Sequence, residues 1–121
     1  EQLGSALECM NTKIDIANIC KTTDNKLKID VDNIGDTTLT GVKVRVTSDE
    51  KVSELESFPA DATTPYNIVP YNRIPQITTT KAIITADFKT NIKVEVYPET
   101  KSGVCRDAMV TKSGIAACST S

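Results

Sequence analysis

The sequence contains no histidine and no tryptophan. Histidine is the side chain that most often serves as a general base at neutral pH and as a zinc ligand. Its absence excludes Ser-His-Asp and Cys-His catalytic groups as well as histidine-rich metal sites. The absence of tryptophan excludes the buried tryptophan that antibody domains pack against their inter-sheet disulfide.

Long apolar runs and blocks of like charge are also missing. No segment approaches the roughly 20 apolar residues that a membrane-spanning helix needs, and no secretory signal peptide is recognisable. The chain has 14 Lys and Arg against 16 Asp and Glu, and its formal net charge is -2. Because these charges are scattered, we expect neither a nucleic-acid surface nor a polybasic membrane patch, and nucleic acid is not an expected partner.

Four cysteines lie near the two ends of the chain: Cys9, Cys20, Cys105 and Cys118. They form no C-x-x-C pair, and no histidine could complete a mixed metal site. The spacing therefore predicts two disulfides and an extracellular or cell-surface location, with buried free thiols as the alternative. Three pairings are possible. We favour the local ones, Cys9 with Cys20 and Cys105 with Cys118, because each short loop would contribute roughly 2 to 4 kcal/mol. Since no export signal accompanies these features, we expect a mature or trimmed fragment.

Two alternating segments between Lys26 and Val46 form the clearest pattern in the sequence. Successive side chains of a strand point to opposite faces, so the pattern predicts two half-buried antiparallel strands. The connection from Asn33 to Gly41 is too long for a two-residue hairpin. It is either an irregular turn or a corner that leads to a second sheet. The apolar residues that share a face are Leu27, Ile29 and Val31 in the first strand and Val42, Val44 and Val46 in the second.

Residues 1–11 carry the only convincing helical pattern. Leu3, Leu7 and Met10 fall on one narrow apolar stripe of a helix. Because ten residues are marginal as an isolated helix, we interpret the segment as a stub: the end of a longer helix, or a short helix that Cys9 docks onto the domain.

Residues 48–75 contain four of the five prolines. Proline lacks a backbone donor, so this segment predicts a long excursion, or an edge strand with short pieces, that covers one end or edge of the domain. Alternating segments elsewhere predict further strands. Their ranges are about 12–20, 77–88, 92–98, 104–112 and 115–119. Together these patterns predict an all-β fold, an immunoglobulin-like two-sheet antiparallel sandwich of about seven strands spanning residues 12–121.

Clustered carboxylates are the first candidates for chemistry. Asp30, Asp32 and Asp36 resemble part of a calcium loop, but the EF-hand pattern fails because Ile34 and Gly41 stand at ligand positions. A weak calcium site near Asp36 stays open, and solvent-facing strand positions are the favoured interpretation.

Glu54, Glu56 and Asp61 could form an acid/base pair or a sugar site. No apolar pocket that would raise a carboxyl pKa is visible around them, so we interpret them as solvated loop charges. The sequence therefore predicts no enzyme, no cofactor and no metal site.

The aromatic residues of the excursion, Phe58, Tyr66 and Tyr71, are the best candidates for a contact surface. Tyrosine buries a large area at low entropic cost and is enriched at interfaces. An aromatic side chain in a long loop is equally often the plug that ties the loop to its own domain. The two interpretations stay open for all three residues.

Residues 12–16, 27–39 and 41–46 resemble the secreted domains of archaeal type IV pilin-like proteins, a group that includes pilins, archaellins and archaellum accessory proteins. The resemblance implies a long hydrophobic helix that hands over to a β-sandwich, and it implies no catalytic residues. The implied partners are copies of the chain or related filament subunits, with a surface-layer protein as a further candidate and membrane contact only through the helix. The Asn33-x-Gly35 pattern is also similar to extracellular immunoglobulin-like adhesion modules.

The sequence thus leads to two functional hypotheses. The first is a non-enzymatic structural protein, the extracellular globular domain of a pilin-like surface filament subunit or of its cell-envelope anchor. The second is a soluble immunoglobulin-like module that binds a protein or polysaccharide through the surface from Phe58 to Tyr71.

Overall fold

The computed structural model describes residues 6–49, 51–61, 63–81 and 92–119. Over these residues the chain forms an all-β sandwich of two antiparallel sheets behind one short helix, which confirms the predicted fold class. The elements are α1 Ala6–Met10, β1 Ile14–Lys21, β2 Leu27–Asn33, β3 Gly41–Thr47, β4 Glu56–Phe58, β5 Ile77–Thr78, β6 Lys93–Thr100, β7 Gly103–Val104, a 3-10 helix Arg106–Ala108 and β8 Val110–Ser113.

The two sheets enclose a core supplied by the alternating strands. The first sheet has the order β1-β2-β5, and the second has the order β4-β3-β6 with β7 and β8 both on the far side of β6. Strand β2 alternates between buried and half-buried positions, as its period-two pattern predicts. The buried apolar residues are Ile14, Leu27, Ile29, Val31, Leu39, Val42, Val44, Val46, Ile74, Ile77, Val94 and Val96.

Two alternatives were predicted for the connection between β2 and β3, an irregular turn or a corner that leads to a second sheet. The structure shows a corner, because the two strands belong to different sheets. Asn33 is fully buried at this corner. Its Nδ2 donates to the carbonyl oxygens of Thr37 and Ile68, both at 2.9 Å, and its Oδ1 accepts from the Gly35 N–H at 3.2 Å. The side chain therefore holds both the corner and the proline-rich excursion.

Gly35 lies against the backbone that precedes β1. A Cβ atom built at Gly35 would approach Lys13 N to 2.5 Å and Asn11 O to 2.6 Å, distances that no real Cβ tolerates. Both residues of the Asn33-x-Gly35 pattern are therefore required by the structure: Asn33 by its buried hydrogen bonds, and Gly35 by its close contact with this backbone.

The excursion contributes an edge strand, as its prolines predict. Strand β4 is the outermost strand of the second sheet, and isolated bridges join Leu39 to Ile68 and Asp32 to Arg73. Ile74 is buried in the core. The excursion thus packs along the domain.

The interpretation of Glu54, Glu56 and Asp61 as solvated is wrong for Glu56 in β4, whereas Glu54 and Asp61 are exposed. Glu56 is only 8% exposed. Its carboxylate accepts hydrogen bonds from the Thr80 N–H at 2.8 Å, the Thr80 hydroxyl at 2.7 Å and the Lys81 N–H at 2.7 Å. A buried carboxylate is stable only with such partners. Glu56 therefore ties β4 to the segment that follows β5.

Pro98 corrects a predicted strand end. Strand β6 continues through it to Thr100. The Pro98 carbonyl accepts from the Cys105 N–H, so the polar backbone groups of Pro98 point away from β3. On that side of β6, Pro98 lies between the residues that pair with β8 and those that pair with β7. The missing proline N–H therefore costs no ladder hydrogen bond.

Three other predicted strands differ from the structure. The strand at 104–112 is broken into β7, the 3-10 helix and β8, because the chain turns at Cys105. The strand at 115–119 is reduced to a parallel bridge between Lys21 and Ala117. For the predicted strand at 77–88, the structure shows the two-residue strand β5 followed by non-strand residues 79–81. The remainder of the predicted strand lies outside the described residues.

The predicted disulfides are confirmed, but the predicted pairing is wrong. Cys9 pairs with Cys105, and Cys20 pairs with Cys118. The physical reason is distance. Cys20 lies near the far end of β1, and an extended strand from Ile14 to Cys20 alone spans about 20 Å, whereas a disulfide needs Cα atoms about 4.4 to 6.8 Å apart. Each disulfide therefore joins the N-terminal residues 9–20 to the C-terminal residues 105–118.

Candidate functional site

The short helix α1 is fastened to one end of the sandwich by hydrogen bonds from three directions. The Glu8 carboxylate accepts from the Thr100 hydroxyl at 2.7 Å. The Glu8 carbonyl accepts from the Thr12 hydroxyl at 2.7 Å and from the Thr37 hydroxyl at 3.2 Å. Hydrogen bonds from Thr100 and then Ser102 lower the pKa of Glu8. The helix is therefore held by β6 of the second sheet, by Thr12 just before β1 and by the corner.

Covalent and backbone links complete this attachment. The Cys9–Cys105 disulfide has a Cα–Cα distance of 5.4 Å. The Asp36 N–H donates to the Asn11 carbonyl at 2.8 Å, and the Ile34 N–H donates to the Lys13 carbonyl at 3.0 Å. Short helical segments gain little stability from their own hydrogen bonds in water. These tertiary contacts therefore fix the direction of the described part of α1.

The outer side of α1 is apolar and exposed. Leu7 is 73% and Met10 is 82% exposed, and residues three apart lie on the same side of a helix. Met10 also lines a groove of about 650 Å³ together with Ile34 and Tyr71, which are 40% and 76% exposed. We call Leu7, Met10, Ile34 and Tyr71 the helix-end surface. Clustered exposed apolar side chains of this kind mark interaction sites.

Tyr71 is held in an unusual backbone conformation. Its φ is 67°, in the left-handed region that bulky residues seldom adopt. The Tyr71 N–H donates to the Asn33 carbonyl at 2.7 Å, which ties this conformation to the corner. Strained positions of this kind persist where the surrounding structure enforces them, and they cluster at functional sites.

The three predicted interface residues lie in different environments. Phe58 and Tyr66 are half-buried and pack against the core, and burial raises the pKa of Tyr66. Their side chains anchor the excursion to the core of its own domain. Tyr71 is exposed and belongs to the helix-end surface. The interface role of these residues stays a prediction, and Tyr71 is the one placed to contact a partner.

The aspartates of β2 are engaged with the excursion. Arg73 Nε donates to Asp32 Oδ1 at 2.7 Å, and this contact lowers the pKa of Asp32. Gln76 Nε2 donates to Asp30 Oδ1 at 3.3 Å. Within the described ranges, no group of three or more His, Cys, Asp or Glu residues is arranged to hold a metal ion.

A polar cluster on the outer face of the second sheet was not found by sequence reasoning. Arg45 Nε donates to Glu95 Oε1 at 2.7 Å, and the Tyr97 hydroxyl donates to the same oxygen at 3.0 Å. Burial, followed by the hydrogen bond with Glu95, raises the pKa of Tyr97. The signal that could have found the cluster is the alternation of β3 and β6. This alternation places Arg45 of β3 and Glu95 and Tyr97 of β6 on the outer face of the sheet, on neighbouring strands. Each polar group has a partner, so the cluster stabilises the sheet.

A second groove, of about 440 Å³, lies beside this sheet. Lys43 Nζ donates to Ser57 Oγ at 2.8 Å there, and the groove is also lined by Glu99, Lys101 and Thr40. Its lining combines side chains of both signs of charge with the apolar residues Pro59, Pro65 and Val104. Such a groove can accept hydroxyl-rich ligands by hydrogen bonding.

No protein-family model matches the chain, and neither a curated protein nor a solved structure shows significant similarity to it. Among the described residues, no helix is both long and apolar enough to cross a membrane.

Proposed function

We propose that this chain is the extracellular globular domain of an archaeal type IV pilin-like filament subunit, or of the cell-envelope anchor of such a filament, and that it works by assembly. The observation that carries the proposal is the docking of α1. The described part of α1 is fixed in direction by a disulfide and by Glu8, while Leu7 and Met10 face outward. This arrangement suits the point at which a helix hands over to a sandwich.

In this proposal a preceding apolar helix continues α1 and packs with the helices of neighbouring subunits. The helix-end surface contacts those neighbours, because it joins the apolar side of α1 to Ile34 and Tyr71 on the adjacent corner and excursion. The two disulfides support the extracellular setting, since such bonds persist in oxidising compartments.

The polar clusters favour a structural role over catalysis. The carboxylates of Glu56, Asp32 and Glu95 each accept hydrogen bonds that join one strand to another segment. A catalytic acid or base has to face its substrate. These groups face neighbouring parts of the domain.

Assembly of the full-length protein tests the proposal. The gene should encode about 20 apolar residues immediately before Glu1, as a filament core helix requires. The double variant Met10→Ser with Tyr71→Ser should weaken assembly by about 2 kcal/mol, or roughly 30-fold in the critical concentration measured by sedimentation. Val52→Ser is the matched control, because Val52 is 54% exposed but lies outside the helix-end surface.

An ordinary secretion signal and linker upstream of Glu1 would defeat the filament proposal. Equal assembly of the double variant and the control would remove the helix-end surface from it. The second candidate function, a module that binds a polysaccharide or protein, is favoured by the groove in which Lys43 and Glu99 lie beside apolar residues. Lys43→Ala would then reduce glycan binding measured by calorimetry, without affecting assembly.

A further inference from the structure

Both disulfides connect residues 9–20, which include most of strand β1, to one C-terminal segment, residues 105–118. Cys9 precedes β1 and bonds to Cys105, while Cys20 lies near the end of β1 and bonds to Cys118. Strand β1 is an edge strand of the first sheet, and the segment 105–118 contains β8 of the second sheet. The links therefore cross in sequence. One holds α1 to the residue that follows β7, and the other holds the end of β1 to the residues that bridge it at Lys21.

This connectivity sets the route of a force applied between the helix side and the C-terminal side of the domain. One covalent route runs along residues 9–20 and crosses to Cys118. The other crosses from Cys9 to Cys105 and runs along residues 105–118. The routes contain about 11 and about 13 peptide units, so the shorter one limits the separation of Cys9 and Cys118 to about 45 Å.

The rest of the sandwich branches off these routes. Residues 21–104 connect Cys20 to Cys105, and they contain strands β2 to β7 and every residue of the core cluster except Ile14. Because both ends of this segment are joined by shorter covalent paths, tension along the chain does not pass through it.

With the local pairing that the sequence favoured, the segment between Cys20 and Cys105 would instead carry the tension. With Cys9 bonded to Cys20 and Cys105 bonded to Cys118, the segment between Cys20 and Cys105 would lie in series with the load. About 85 peptide units, or about 300 Å of chain, could then be pulled out with both disulfides intact.

We propose that the two crossed disulfides form a tension shunt, which carries load through β1 and residues 105–118 and keeps strands β2 to β7 out of the load path. The shunt is redundant. Cys9–Cys105 alone limits the Cys9 to Cys118 separation to about 50 Å, and Cys20–Cys118 alone limits it to about 45 Å. The inference goes beyond the filament proposal, because it requires only that force enters at one terminal side and leaves at the other.

Single-molecule stretching of the oxidised protein by its two termini tests the shunt. The readout is the length between Cys9 and Cys118 at high force, which depends on the covalent route and not on how well a variant folds. Wild type, the pair Cys9→Ser with Cys105→Ser, and the pair Cys20→Ser with Cys118→Ser should all stay at or below about 50 Å. Wild type in a dithiol reductant should lengthen to about 380 Å.

An internal attachment point supplies the matched control. With one handle at the N-terminus and the other at exposed residue 51, part of the core lies in the load path. The oxidised wild type should then unfold and extend to about 150 Å between Cys9 and Lys51. The force at which it unfolds is the reference to which stretching by the two termini is compared. Lengthening of the oxidised protein by about 300 Å under terminal load would overturn the proposal, as would loss of the short length in either paired variant.

Discussion

Replacement of Asn33 by alanine should lower the free energy of unfolding by about 3 kcal/mol. The side chain is fully buried and makes three hydrogen bonds to backbone groups of the corner and the excursion. Its loss leaves the Gly35 N–H and the Thr37 carbonyl without this partner, whereas the Ile68 carbonyl still accepts from the Leu39 N–H. Each buried group that loses its partner costs about 1 to 3 kcal/mol, and the lower half of that range for two groups, with the lost packing, gives the predicted magnitude.

Asn33→Asp sharpens this test, because the two residues have nearly the same shape. Aspartate can still accept from the Gly35 N–H, but it places an acceptor where Nδ2 now donates to two carbonyl oxygens at 2.9 Å. Burial and these carbonyls disfavour the ionised carboxylate, so its pKa in the folded state should be raised above the unfolded value. The variant should therefore be most stable below the unfolded pKa and lose stability as the pH rises through the folded pKa.

Urea unfolding of the oxidised proteins at pH 4 and pH 7 measures both effects. Asn67→Ala and Asn67→Asp are the matched controls, because Asn67 is an exposed residue of the same excursion; both should stay within about 0.5 kcal/mol of wild type. If Asn33→Ala behaved like its Asn67 control, or if Asn33→Asp were equally stable at both pH values, the role assigned to Asn33 would be refuted.

Three further outcomes are expected. Gly35→Ala should destabilise by about 2 kcal/mol in the same assay, because the added Cβ meets the backbone of Lys13 and Asn11; an unchanged midpoint would contradict the close approach. Cys20→Ser with Cys118→Ser should lower the free energy of unfolding by about 3.5 kcal/mol, because with Cys9–Cys105 intact this disulfide closes a ring of about 26 residues, 9–20 and 105–118; a loss below about 1 kcal/mol would exclude a closed ring of that size. The lowered pKa of Glu8 predicts that its contribution is present above the ordinary glutamate pKa and is lost as the pH falls through the lowered value. Glu8→Gln should therefore remove part of the acid dependence of the melting temperature, and an unaltered acid dependence would rule out this role.

Several features of the candidate site were within reach of the sequence. The sequence allows the stub at residues 1–11 to be either the end of a longer helix or a short helix docked by Cys9, and Cys9 does bond to Cys105. It offers Phe58, Tyr66 and Tyr71 as contact residues, and Tyr71 is exposed. The exposure of Leu7 and Met10 was not predictable, because an apolar stripe indicates a buried face equally well. Only the position of α1 on the sandwich decides which side of the helix faces solvent.

The sequence by itself determined the all-β class and the inward faces of β2, β3 and β6. It also favoured an edge strand or an excursion for the proline-rich segment, and two disulfides over free thiols. These properties follow from local rules: the two-residue period of a strand, the missing proline donor and the chemistry of paired thiols. The tertiary structure decided that Cys9 bonds to Cys105, that Glu56 is buried and that the chain changes sheet after Asn33. Each of these depends on segments that are distant in sequence and meet only when the two sheets pack, and no local pattern records that encounter.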